Sequence, residues 1–172
     1  LVGQNLGARQ PERAERTTRA AMGVAFAGMT AAGLVLFLFA APIIRLFVPD
    51  EPQVVRIGAR FLRIMAFSFG LLGVQQVFSG ALRGAGNTTA SLVLTIVSLW
   101  VFLFPAAWVL SSHTGLAAEG IWWAYPFSNT AGAALALTWF LRGRWQRSPQ
   151  TGEAWLEEEV AREAIVEEGL AS

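Results

Sequence analysis

Four stretches of this chain carry no charged side chain: residues 20–44, 64–82, 84–112 and 120–141. A helix needs about 20 consecutive apolar residues to cross a hydrocarbon core about 30 Å thick, and each stretch meets or approaches that length. A soluble helical bundle would show a polar stripe along each helix, and these runs show none. The pattern predicts an all-α integral membrane fold with four transmembrane helices, at about residues 20–44, 60–82, 88–112 and 119–141. Residues 1–19 then form a loop and residues 146–172 an acidic tail. The first run is too long for a secretory signal and lacks a small-residue cleavage site.

Composition removes other classes. The hydrophobic fraction is 54% against 15% charged, with a mean hydropathy of +0.47. A net charge of +1 leaves no basic field for nucleic acid. The chain has no Cys, which excludes disulfide scaffolds, thiolate metal sites and Cys nucleophiles. One His and one Tyr argue against a His-based catalytic or metal cluster. No catalytic, cofactor-binding or metal-binding residue is assigned, and the chain does not read as an enzyme.

All 13 basic residues are arginines, and their placement sets orientation. Arg9, Arg13, Arg16, Arg19, Arg83, Arg142, Arg144 and Arg147 fall on one side if the spans alternate, against Arg45, Arg56, Arg60 and Arg63 on the other. The excess places both ends of the chain in the cytoplasm, with Arg60 and Arg63 snorkelling from the start of the second helix. Trp108, Trp122 and Trp123 near the outer ends of spans, and Trp139 and Trp145 near the inner ends, suit interfacial belts.

The connections are short. Pro49-Asp50-Glu51-Pro52 cannot continue a helix. Gly84 and Gly86 in LRGAGNT can take positive φ where the chain reverses. The sequon at Asn87-Thr88-Thr89 is inert on a cytoplasmic face. In the tail, Glu158 and Arg162 have the i, i+4 spacing of a solvated helix. The glycines of the turn are no phosphate loop, since no Lys-Ser/Thr follows and no strand precedes.

Gly3 with Gly7, and Gly80 with Gly84, have the GxxxG spacing that lets helices approach. Ala124, Ser128, Gly132 and Ala136 form a small-residue stripe suited to helix packing. Polar groups at membrane depth carry more information, because hydrocarbon offers them no partners. Ser68, Gln75 and Ser79 share a helix face, with Gln76 beside them; Tyr125, Ser128 and Asn129 share a face with Gly132. Two readings fit: a polar cavity lining, or hydrogen bonds between helices worth about 1 kcal/mol each. Pro105 and Pro126 lie inside spans, either as kinks used in transport or as tolerated ones. No Asp, Glu, Lys, Arg or His lies in a span core, although ion-coupled transport usually needs such a group. Glu119, at the outer mouth of the last span, is a weak candidate, and His113 reads as a solvated loop residue.

In order along the chain, VGQNLGARQPERA, LFVPD, FLRIMAF, SGALRGAGNT and GIWWAYPFSN strongly resemble the multidrug and toxic compound extrusion (MATE) family. The resemblance covers about residues 1–145. It implies a twelve-helix, two-lobe transporter, of which this chain would be the C-terminal four spans and a cytoplasmic tail. The preceding eight helices of the same protein would then be its main partner, with the lipid bilayer and a small-molecule substrate. It further implies efflux of organic cations or other amphipathic compounds by Na⁺ or H⁺ antiport across the plasma membrane. No cofactor is implied beyond the coupling ion.

One branch of the family uses a carboxylate on the tenth helix, where Leu72 stands here, so the resemblance points to the branch whose carboxylate lies in the first lobe. Asn87 departs from the Asp common in that turn. The substrate-path candidates are Gln75, Gln76, Tyr125, Ser128 and Asn129. The alternatives are a lipid-linked sugar flippase of the same superfamily and a four-span membrane scaffold that functions as it stands.

Overall fold

The computed structural model describes residues 1–142. The expected acidic tail and the inner-end residues Arg144, Trp145 and Arg147 lie outside the described residues. The described part contains helices α1 (Val2–Gly7), α2 (Pro11–Leu38), α3 (Ala40–Phe47), α4 (Pro52–Ala66), α5 (Phe69–Gly84), α6 (Thr88–Ile96), α7 (Phe104–Ser112) and α8 (Ala118–Leu141). A π-helical segment, Val97–Leu103, joins α6 to α7 without a break.

The opening strip, expected as a loop, is helical. Pro11 starts α2 because its fixed φ and missing N–H cost nothing in a first turn. Glu12 beside it favours the positive end of the helix dipole. The helix runs through the charge-free boundary at residue 20 without a break. Farther along, Phe39 interrupts the helix before the short α3.

The second expected span is a bent pair, with α4 and α5 meeting at 53°. At the break the Ser68 N–H bonds the Met65 carbonyl at 3.2 Å, and the Ser68 hydroxyl also donates to that carbonyl at 3.2 Å. This tight turn redirects the chain. Among the described residues, two helices are long and apolar enough to cross a membrane, Pro11–Leu38 and the continuous Thr88–Ser112, and the bent pair makes three if it counts as one span. The fourth expected span, α8, has 24 residues, about 36 Å of helix. Its length suffices, but Tyr125, Ser128, Asn129 and Thr130 lower its hydropathy, and it is not among the helices apolar enough by composition.

Close approach organises the bundle. A Cβ on Gly33 would sit 2.8 Å from the Ala66 carbonyl oxygen, and one on Gly73 would sit 3.0 Å from that of Ala25, so α2 lies against both arms of the bent pair. Gly120 abuts the backbone of Leu110, bringing α8 onto α7. Of the two GxxxG pairs, one member of each is used: Gly3 on α1 meets the Gly84 carbonyl, whereas Gly7 and Gly80 have nothing within 4 Å. The small-residue stripe packs as expected, with Ala124, Ser128, Gly132 and Ala136 all buried.

The main hydrophobic cluster gathers Ala14, Met22, Phe78, Leu82, Leu94 and Phe140 from α2, α5, α6 and α8. At the nearby turn only Gly86 takes positive φ, +79°, while Gly84 remains the last residue of α5. The Asn87 side chain caps α6, accepting from the Ala90 N–H at 3.0 Å. An Asp could make the same bond, so this departure from the resemblance leaves the cap intact.

Candidate functional site

Near the middle of α5, the π segment and α8, polar side chains meet where hydrocarbon would leave them unpaired. The Gln75 Nε2 donates to the Ser98 Oγ at 2.7 Å. The Ser128 Oγ donates to the Ser98 carbonyl at 2.7 Å. The Asn129 Nδ2 donates to the Ser68 Oγ at 2.9 Å, tying α8 to the bend between α4 and α5. Ser68, Gln75, Ser98 and Ser128 are all buried.

These groups border a cavity of about 320 Å³. All five candidates, Gln75, Gln76, Tyr125, Ser128 and Asn129, line it, joined by Ser68, Leu72, Thr95 and Ser98. Of the five, Gln75, Ser128 and Asn129 both hydrogen-bond between helices and border the cavity. Ser79 is the exception on its face: its hydroxyl pairs with that of Ser91 at 2.7 Å, and the Arg83 guanidinium donates to both at 3.3 Å.

Ser98 is the residue that sequence reasoning missed. It lies in the π segment, where the Phe104 N–H reaches back five residues to the Leu99 carbonyl. Pro105 follows in the first turn of α7. A proline lacks the N–H that would continue an α-helical ladder, and the wider π turn precedes that gap. Pro105 within an apolar run was the available signal. Pro126 behaves differently, for α8 runs through it as one helix.

The cavity lining contains no carboxylate and no basic side chain among the described residues. Leu72 contributes an apolar wall. Glu119 stands apart, paired with Arg60 at 2.8 Å. Arg60 is thus bound to the start of α8 as well as exposed. Sequence reading missed this contact because its partners are distant along the chain. Beside it, Phe61 meets Trp122 edge to face with centroids 5.6 Å apart. Chemically, the cavity offers hydroxyls, amides and one phenol ring without a fixed charge.

The chain is 29% identical over 147 residues to a "Probable multidrug resistance protein NorM" of Thermotoga maritima, covering 86% of this chain and 32% of that protein. It is 36% identical over 124 residues to a protein of the same description from Rhodopseudomonas palustris, covering 70% and 26%. It is 30% identical over 151 residues to "Probable multidrug resistance protein YpnP" of Bacillus subtilis, covering 85% and 32%. The chain therefore spans about a third of the length of these relatives or less. No solved structure matches it. The sequence profile of the MatE family matches residues 1–109, from α1 through the π segment into α7, and this all-α, multi-pass membrane chain belongs to that family.

Proposed function

We propose that this chain forms the closing part of the second lobe of a multidrug efflux transporter. The transporter exports organic cations and other amphipathic compounds by antiport with Na⁺ or H⁺. It sits in the plasma membrane with both ends of this chain cytoplasmic, and the rest of the same protein is its partner. The supporting observation is the cavity of about 320 Å³ in which Gln75, Gln76, Tyr125, Ser128 and Asn129 meet. The names carried by its relatives support efflux as the task, and the arginine excess supports the orientation.

A cavity of neutral donors and acceptors with a half-exposed phenol ring, Tyr125, holds amphipathic cargo by hydrogen bonds and ring contact. The ring face attracts a cation without pairing it to a fixed charge. Such a site releases its cargo readily, as transport requires. The ionisable group that binds the coupling ion then belongs to another part of the transporter.

Expression of the transporter in a pump-deficient cell should lower accumulation of a cationic dye, and Gln75→Ala should weaken that export at unchanged protein level. Unchanged dye accumulation would sink the efflux reading. Normal export by Gln75→Ala would remove this cavity from the cargo's path.

A further inference from the structure

The glycines of this bundle meet two kinds of neighbour. At Gly33 and Gly120 a side chain would strike backbone, the Ala66 carbonyl and the Leu110 peptide. These positions set the spacing between helices. Gly132 is different. A Cβ there would lie 2.7 Å from Nε2 and 2.9 Å from Cδ of Gln75, and 2.9 Å from Oγ of Ser98. Carbon atoms at rest stay about 3.5–4.0 Å apart. The bare backbone at position 132 therefore leaves room for the Gln75–Ser98 hydrogen bond.

Gln75 is 9% exposed. With Nε2 given to Ser98, its Oε1 accepts no hydrogen bond from a described residue. Gln75 also lines the cavity. A buried carbonyl oxygen without a donor is costly to leave so, and an N–H or O–H of a cavity occupant relieves it. We infer that Gly132 is a positioning residue of the cavity, holding the Gln75 amide so that its free end receives a hydrogen-bond donor of the cargo. The inference rests on the cavity being part of the cargo's path.

The chemistry predicts an effect on binding more than on folding. The atoms that crowd position 132 belong to the side chains of Gln75 and Ser98 and none to backbone, so a methyl group there displaces the Gln75 amide from Ser98 instead of parting the helices. The test is a cycle of Gly132→Ala, Gln75→Ala and the double variant in the whole transporter. Each is followed by export of a cationic dye and by the midpoint of thermal unfolding. Gly132→Ala should raise the dye concentration for half-maximal export about fivefold, the factor of one lost hydrogen bond, with its unfolding midpoint near that of the unmodified protein. In the Gln75→Ala background the same substitution should add nothing.

If Gly132→Ala fails to accumulate, recovery of accumulation in the double variant supports the inference, and failure in both backgrounds overturns it. Full additivity, with Gln75→Ala impaired, overturns the positioning role alone. Normal export by Gln75→Ala removes the cavity from the path, and this inference with it.

Discussion

Gln75 on α5 and Ser98 in the π segment share a 2.7 Å hydrogen bond in the buried middle of the bundle, and the same serine's carbonyl takes the Ser128 hydroxyl of α8 at 2.7 Å. One residue thus links three helices by both its side chain and its backbone. Ser98→Ala removes only the hydroxyl. It should leave the Ser128 bond in place and cost about 1 kcal/mol, because a buried amide loses its partner. Adding Gln75→Leu should recover most of that loss, since an apolar pair needs no hydrogen bond. Unfolding of the four variants in mixed micelles measures both steps, and equal losses with and without Gln75→Leu would refute the coupling.

Gly120 and Gly80 make a matched pair. A Cβ at Gly120 meets the Leu110 backbone, which no rotamer change can move, whereas one at Gly80 meets nothing within 4 Å. Gly120→Ala should destabilise by about 1–3 kcal/mol through overpacking. Gly80→Ala should be neutral, or stabilising by up to about 1 kcal/mol from helix propensity. Unfolding midpoints check both, and a Gly80→Ala loss as large as that of Gly120→Ala would contradict the assigned contacts.

Asn87 caps α6 through its side-chain oxygen. Asn87→Asp should keep the cap within a few tenths of a kcal/mol, and Asn87→Ala should lose about 1 kcal/mol. Hydrogen exchange at the Ala90 amide is the direct readout. Faster exchange in the Ala variant and unchanged exchange in the Asp variant are expected.

Charge-free length and periodicity were enough to read an all-α membrane chain, the packed stripe from Ala124 to Ala136, and the polar faces of α5 and α8, though not whether those faces line a cavity or only bond to each other. These are local properties: the cost of placing a charge or an unpaired polar group in hydrocarbon is set residue by residue, and helical spacing assigns the face. Tertiary structure alone decided the rest. The bend at Ser68, the π segment around Ser98, the Arg60–Glu119 pair and the use of Gly3 but not Gly7 depend on which surfaces come into contact. Helical spacing shows which face a residue occupies, but the neighbour across the gap is chosen by packing. For that reason spacing makes Gly132 one small residue among four, and only the Gln75 amide packed against it sets it apart.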